Sequence, residues 1–342
     1  MMKPALSRPV CILGLGLIGG SLLRDLASTA VTAYGYNRSP SGARAAAADG
    51  FDVSDNLEAT LQRAEKDNAL IVLATPMGAI PTLLNALNEH APHCGFTDVV
   101  SVKGRVWDLV QERGMQERYV GGHPMAGTAD SGWKASHTGL FNKAAWVITF
   151  DHALDEGDSS PTEEWTRLWT DVAHLARLVG AETIPSRVKH HDRAVARISH
   201  LPHILAEALA IVGDNGGALA LSLAAGSFRD GTRVAGSAPS LVRAMCETNA
   251  EALREALDEA INLLTDARTN LDAPNANLEE LVDAGYRSRI RFEARSGARG
   301  RTDSVSPAPV STRPVLRVRP GAPGWIGQLI QAENLGARIE VF

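Results

Sequence analysis

The stretch CILGLGLIGGSLLRDL, residues 11–26, constrains this chain more than any other part of it. Gly14, Gly16 and Gly19 are spaced as G-x-G-x-x-G, directly after an apolar run and before a helix-like one. In that setting each glycine has a physical task. Gly14 makes the tight turn, Gly16 lets the backbone approach a pyrophosphate, and Gly19 lets the helix pack on the strand. The helix N-terminus, with Leu17 and Ile18 in its first turn, supplies amide donors and partial positive charge to the phosphates. Because the stretch sits in a βαβ unit ending at AYGYN, a dinucleotide fold is expected rather than a chance glycine-rich turn.

About 20 residues further on, an NAD-binding chain usually offers Asp or Glu to the ribose 2′-hydroxyl. Here the chain offers Asn37, Arg38 and Ser39. No carboxylate there repels a 2′-phosphate and Arg38 can pair with one, so NADP is favoured over NAD. The alternative is that Arg38 is a solvated loop residue and both cofactors bind.

The rest of the first 150 residues alternates short apolar runs with helix-like stretches. The runs are VCILGLG (10–16), VTAYGYN (31–37), ALIVLATP (69–76), DVVSVKG (98–104), RYVGGHP (118–124) and AAWVITF (144–150). Such runs separated by helices predict a parallel sheet covered on both faces. At 342 residues the chain is long for one core. The expected division is a dinucleotide-binding domain over 1–155, a helical substrate and dimerisation domain over 156–293, a linker over 294–313 and a βαβ tail over 314–342. A net charge of −5 gives no general reason to expect nucleic acid or an anionic membrane as partner. Cys11, Cys94 and Cys246 lack CxxC spacing, which fits a reducing cytoplasm. No signal-like core opens the chain and no long apolar run suggests a membrane span.

Beyond residue 155 the patterns are helical. SSPTEEWTRLWTDVAHLARLVG predicts a helix with Ser160 as N-cap, Pro161 in first position and Glu163 completing a capping box. AETIP reads as one more short strand. Residues 187–213 and 239–271 read as long helices. In the second, Leu241, Val242, Met245, Asn249, Ala252, Leu253, Ala256, Leu257, Ala260, Ile261 and Leu264 form a stripe that is either a helical core or a subunit interface. A homodimer is expected.

Three features carry candidate chemistry. In YVGGHPMAG, the glycines and Pro124 hold His123 in an irregular, extended setting, either as a chance loop residue or as a presented imidazole. In HHDRAVARISHLPHILAEAL, Asp192, Ala196, Ser199 and His203 fall within about 40° of one another on a regular helix, and His200 flanks them. That polar lane is either a site wall or a set of groups bonded within the core, and HHD is either part of it or simply wet. In GSFRDGTRVAGSAPSLV, Gly226, Gly231 and Gly236 suggest a loop in which Arg229 and Arg233 either clamp a dicarboxylate or pair with Asp230 and other surface acids. His200 and His203 alone do not make a metal site, and no metal is expected.

Residues 287–319 hold nine arginines against Glu293 and Asp303. With Gly, Ser and Pro interspersed this reads as a solvated linker; a nucleic-acid arm is disfavoured because aromatic residues are not interleaved. The tail PVLRVRPGAPGWIGQLIQAENLGARIEVF reads as strand, helix, strand, resembling half of an ACT-type module, and is expected to pair with another element.

Taken in order, GLGLIGGSL, LATP, SVKG, GGHPMAGT, ISHLPH and FRDGTRVAGS resemble the prephenate/arogenate dehydrogenases of tyrosine biosynthesis, over roughly residues 9–293. The resemblance implies an α/β Rossmann-type nucleotide-binding domain followed by an all-helical dimerisation domain. It also implies oxidative decarboxylation of arogenate or prephenate with hydride transfer to NAD(P). Thr75 and Pro76 of LATP are then expected at the cofactor. His123 becomes the base or hydrogen-bond acceptor for the substrate's ring hydroxyl, with Ser101 beside it. Ser199 and His203 contact the substrate, Arg233 binds the ring carboxylate, and Arg229 is a candidate for the side-chain carboxylate. Asp192 or Asp230 could meet an arogenate amine. Where several relatives carry Asp-Pro and then Trp after the arginines, this chain has Ala238, Pro239 and later Val242. The alternatives are a β-hydroxyacid dehydrogenase, which relies on a helix lysine, and a dinucleotide-sensing regulatory protein without turnover.

Overall fold

The computed structural model of this protein describes Leu6 and residues 8–127, 130–155, 161–272, 274–296 and 312–342. In chain order its strands are β1 (Val10–Leu13), β2 (Ala33–Tyr36), β3 (Val53–Ser54), β4 (Leu70–Leu73), β5 (Phe96–Asp98) and β6 (Tyr119–Val120), then β7 (Gly122–Pro124), β8 (Ala145–Thr149) and β9 (Glu182–Ser186), with β10 (Val315–Val318) and β11 (Arg338–Val341) in the tail. Between the early strands run α1 (Leu17–Leu26), α2 (Pro40–Ala48), α3 (Leu57–Asp67), α4 (Ile80–His90) and α5 (Gly104–Gln111). After β8 come α6 (His152–Asp155) and α7 (Glu163–Leu178). Then follow α8 (Val188–Val195), α9 (Leu201–Asn215), α10 (Gly217–Leu223), α11 (Gly226–Thr232), α12 (Pro239–Thr248), α13 (Ala250–Leu271), α14 (Glu279–Ser296) and, in the tail, α15 (Trp325–Leu335).

The chain forms two compact units. One comprises the described residues up to Asp192, Ser237–Thr248 and Val315–Phe342; the other comprises Arg193–Gly236 and the described residues from Asn249 to Pro314. The division therefore falls at Asp192 rather than near residue 155, and the tail belongs to the first unit.

In the first unit a six-stranded parallel sheet has the order β3-β2-β1-β4-β5-β6. The period-2 geometry of a strand explains its apolar runs. Val10, Ile12, Leu70 and Val72 face Leu22, Leu23 and Leu26 of α1, while Cys11, Leu13, Ile71 and Leu73 face Leu61 of α3, Leu84 and Leu87 of α4 and Leu109 of α5. Both faces are covered, so both sets must be apolar.

The run at 118–124 divides: Tyr119–Val120 stays in the main sheet as β6, whereas Gly122–Pro124 and the run at 144–150 leave it. β7 pairs antiparallel with β8, which pairs parallel with β9, in a separate three-stranded sheet. The run at 98–104 is strand only up to Asp98, and β3 had no strong signal because it is two residues long. Helix α7 is capped by Thr162, whose hydroxyl accepts from the Trp165 amide at 3.1 Å; Ser160, the expected cap, lies outside the described residues. The inward face of α7 is the expected one, with Trp165, Leu168, Trp169, Val172, Leu175 and Ala176 buried.

Tail strands β10 and β11 pair parallel with each other, with α15 between them in sequence. Trp325, Leu329 and Ile339 join the same core as Trp146, Trp165 and Trp169. The tail thus closes on its own chain. Most of the arginine-rich linker, 297–311, lies outside the described residues.

The second unit is helical. Helix α9 follows α8 through a π-helical turn, Ala196–His200. Pro202, just beyond it, has no amide to donate and its ring would crowd the carbonyl of Ile198, and a wider turn relieves that conflict. Ala196 packs on Ala252 and Ala256 of α13, and Arg193 pairs with Glu255 at 3.1 Å. The run Val188–Asn215 is long and apolar enough by composition to span a membrane, whereas the sequence reading found no such run. Its ion pairs, Arg193–Glu255 and Arg197–Glu259, instead tie it to α13 within a bundle.

The expected helix 239–271 breaks at Asn249 into α12 and α13. Its stripe is buried at Val242, Asn249, Ala252, Leu253 and Ala256 but exposed at Leu241, Ile261 and Leu264. Residues 226–236 are helical, not the expected loop. Gly231 serves close approach instead: a Cβ there would lie 2.8 Å from Leu209 of α9.

Candidate active site

All strands of the main sheet end at one edge, and the order reverses between β1 and β4, the place where such sheets hold ligands. The glycine loop follows β1 there. Gly14 has φ +105°, and a Cβ on it would lie 2.6 Å from the Ala74 carbonyl. A Cβ on Gly19 would lie 1.9 Å from the Gly14 carbonyl, so helix and loop are in contact. Around the Cβ position of Gly16 there is nothing within 4 Å. Thr75, after β4, has a buried hydroxyl with no partner among the described residues. An open cradle at Gly16, the amides of Leu17 and Ile18 at a helix start and an orphaned hydroxyl fit a dinucleotide pyrophosphate. Pro76 continues the same edge as N-cap of a short turn at Met77–Ala79.

After β2, Asn37 Oδ1 accepts from the Ser39 amide at 3.3 Å, and Ser39 caps α2 by accepting from the Gly42 amide at 3.3 Å. Arg38 is exposed, and no acidic residue lies in the first turn of α2.

Ser101 lies half-buried in the loop between β5 and α5. His123, on β7 and opposite Val147 of β8, is half-buried too. Behind His123 stands a chain of buried polar groups. His123 Nδ1 is 2.8 Å from His191 Nε2, with the rings steeply inclined at 77°. His191 Nδ1 is 2.8 Å from Asp192 Oδ1. The carboxylate of Asp192 also accepts the amides of Lys103 at 2.8 Å and Gly104 at 2.7 Å, capping α5 from 89 and 88 residues away. Burial alone would raise the Asp192 carboxyl's pKa; the bonds from His191 and the two amides outweigh it and hold the pKa low. Burial likewise holds the His191 ring below the ordinary histidine value, against the pull of Asp192.

Lys103 is wholly buried. Its ammonium pairs with Asp98 and donates to the Gly122 carbonyl at 2.6 Å. Asp98 in turn accepts from the Tyr119 hydroxyl at 2.7 Å. Sequence reasoning missed Asp98, Lys103, Tyr119 and His191. Lys103 lay in the quoted SVKG and His191 in the quoted HHD, but only the fold shows that both are buried.

The expected polar lane is redistributed. Asp192 is committed to α5 and His191, which corrects its reading as an acceptor for a substrate amine. In the second unit the π turn breaks the regular spacing on which the lane was drawn. His200 is buried, with Nδ1 3.1 Å from the Asn249 amide nitrogen, and so is a packing residue of the helices rather than a flank of the lane. Ser199 and His203 are half-buried, and His203 Nδ1 donates to the Ser199 carbonyl at 2.8 Å. Arg229 and Arg233 stand one helical turn apart, both exposed, and neither forms an ion pair among the described residues. The reading of them as surface partners of Asp230 is therefore not what the fold contains.

Comparison with known proteins agrees with this architecture. Residues 21–171 match the family model "Prephenate dehydrogenase, nucleotide-binding domain" and residues 187–284 match "Prephenate dehydrogenase, dimerization domain". A crystal structure named "putative prephenate dehydrogenase", from Corynebacterium glutamicum, is 61% identical, with TM-score 0.90 over 99% of this chain and 100% of that one. Cyclohexadienyl dehydrogenase of Zymomonas mobilis is 31% identical over 76% of this chain and 87% of its own length. The structure of Synechocystis arogenate dehydrogenase is 28% identical, with TM-score 0.65 over 85% of this chain and 98% of that one. With its nucleotide-binding sheet, its helical second part and these matches, the chain is an NAD(P)-dependent dehydrogenase and belongs to the prephenate dehydrogenase family.

Proposed function

We propose that this protein oxidatively decarboxylates prephenate or arogenate, with His123 as the base. The observation that carries the reading is His123 itself, set at the rim of the nucleotide-binding sheet and backed by a buried carboxylate through His191. Bound nicotinamide supplies the hydride acceptor. His123 takes the proton of the ring hydroxyl as hydride leaves the carbon that bears it, and a carbonyl forms there. The ring carboxylate then departs as CO2, its bonding pair entering the ring, and the resulting phenolate recovers a proton. Aromaticity makes the step effectively irreversible. Ser101 is assigned to the same hydroxyl, and Ser199 and His203 to the substrate. Arg233 and Arg229, which form no ion pair among the described residues, are assigned to its two carboxylates.

NADP is the favoured cofactor. Arg38, the Ser39 and Ser41 hydroxyls and the acid-free start of α2 support a 2′-phosphate site. A cytoplasmic homodimer is the proposed assembly, acting on a small molecule without nucleic acid or membrane. Its support is the dimerization-domain match and the exposed Ile211, Val212, Leu219 and Leu223 of the helical unit. The test is formation of reduced cofactor from NAD or NADP, each with prephenate or arogenate. Turnover with either substrate, faster with NADP, is expected; no turnover in any combination would sink the assignment.

A further inference from the structure

Two residues in a row behind His123, His191 and Asp192, take part in no step of the chemistry above, and their hydrogen bonds can have only one polarity. An ionised carboxylate is an acceptor alone. Asp192 is held in that form by the amides of Lys103 and Gly104. The proton between Asp192 and His191 therefore sits on His191 Nδ1. In a neutral imidazole the other nitrogen is then a bare acceptor, so His191 Nε2 must receive a proton from its neighbour. That neighbour is His123 Nδ1, 2.8 Å away. Polarity set at a helix cap is thus carried through two rings to the opposite nitrogen of His123.

We propose that His191 is a positioning residue for the reaction, fixing His123 in its Nδ1–H tautomer so that Nε2 is the base, and linking the charge gained there to Asp192. The proposal rests on the assignment of His123 as base. When Nε2 of His123 takes the hydroxyl proton, the ring becomes an imidazolium whose Nδ1–H points at an acceptor backed by a buried anion. When Nε2 returns that proton to the phenolate, the starting polarity is restored, and no proton need enter or leave through the protein interior.

The surroundings favour a neutral His191. Asp192 on its own helix and Asp98 at the end of β5 pull its proton affinity up, whereas burial and the Lys103 ammonium pull it down, and burial dominates. Tyr119 on β6 is spent on Asp98, and Asp151, after β8, caps α8 by accepting the Val188 amide at 2.8 Å. Neither hydroxyl nor carboxylate offers His191 Nε2 an alternative bond among those the structure contains. The start of the same helix, α8, is also anchored, and the His191 amide donates to the Arg187 carbonyl at 2.9 Å. Glu333 of α15 accepts from the Arg187 amide at 2.7 Å and from its guanidinium at 2.7 Å, four residues before His191 in the chain.

The test compares the wild type with His191→Leu and His191→Gln through the pH profile of kcat/KM and through kcat. Leucine removes the acceptor. It is expected to lower kcat on the order of 10–100-fold and to move the acid limb about one unit toward lower pH, because the His123 imidazolium loses its support. Glutamine keeps a carbonyl acceptor but breaks the link to Asp192, so turnover recovers in part while the acid limb stays shifted. Unchanged kcat and an unmoved limb in the leucine variant would overturn the proposal. Should that variant not fold, nitrogen chemical shifts of 15N-histidine wild type decide, with His123→Asn identifying the signal. A protonated Nδ1 and bare Nε2 are expected; the reverse tautomer overturns the proposal. Absence of turnover by the wild type with either substrate would count against the assigned reaction, and the nitrogen shifts would still judge the relay.

Discussion

The ammonium of Lys103 donates to the carbonyl of Gly122, at 2.6 Å, and so holds the backbone one residue before His123. The same ammonium neutralises Asp98, whose side chain is wholly buried. Replacing Lys103 by Met would leave a buried carboxylate with the Val100 amide and the Tyr119 hydroxyl as its donors among the described residues. A loss of roughly 3–5 kcal/mol of folding stability is expected, as for a broken buried ion pair. Urea unfolding of the purified variant measures it; a loss under about 1 kcal/mol would show that the pair contributes no more than a surface one.

The glycines of the phosphate loop are separable by two substitutions. Gly16→Ala places a methyl in open space, with φ −82° suitable for alanine. Stability should hold while dinucleotide affinity falls at least about tenfold, since the methyl stands where the phosphates approach. Gly19→Ala instead drives a methyl to 1.9 Å from the Gly14 carbonyl. Here the fold itself should weaken, by more than about 1 kcal/mol. Calorimetric titration with NADP beside denaturant unfolding separates the two effects, and equal behaviour of the two variants would contradict this reading of the loop.

Much of this was legible in sequence, and the reasons are local. The strands β1, β2 and β4 announce themselves because parallel strands buried on both faces must be apolar throughout, and the glycine loop because its turn tolerates little else. The separate sheet of β7, β8 and β9 was not legible: an apolar run does not say which strand it bonds to. Asp192 caps a helix that begins 88 residues before it, so no window of sequence holds both partners. His191 looked like one of two wet histidines at a helix start, whereas its neighbour His190 is the one left near the surface. Glycines 226, 231 and 236 suggested a loop because close helix approach and turns call for the same residue.

Stability should fall on the acid side in a way traceable to His191 and Asp192. The unfolded chain protonates His191 below about pH 6.5, but the folded ring, held low by burial, stays neutral to lower pH. Between those values unfolding takes up a proton, so stability decreases as pH falls, by up to about 1.4 kcal/mol per pH unit. The Asp192 contribution has the depressed-acid sign. It is full above the unfolded carboxyl value of about 3.9 and disappears as pH drops through the lower folded one. Unfolding curves from pH 7.5 to 5 should slope downward for the wild type and be flatter for His191→Gln. Parallel curves would remove His191 as the source.

The tail should behave as part of the first unit's core. Trp325 is buried, with its ring centroid 5.4 Å from that of Trp169 and 6.4 Å from that of Trp165. Trp325→Ala is expected to cost about 3–5 kcal/mol and to shift the emission of the remaining tryptophans to longer wavelength as water reaches them. An unshifted spectrum with unchanged stability would mean that the tail is dispensable to this core.

Cofactor choice should turn on Arg38. The residue is exposed, next to Ser39, whose hydroxyl is 2.9 Å from that of Ser41, and no carboxylate occupies the first turn of α2. An adenosine 2′-phosphate would find a guanidinium, two hydroxyls and the positive end of a helix, whereas a 2′-hydroxyl would find no anionic acceptor there. Arg38→Ala removes only the first of these. The KM for NADP should rise about tenfold, corresponding to about 1.4 kcal/mol, while the KM for NAD stays within about twofold because NAD lacks the group that Arg38 meets. Equal increases for both cofactors would mean that Arg38 shapes the adenosine pocket rather than reading the phosphate, and no change in either would leave the hydroxyls of Ser39 and Ser41 as the discriminating groups.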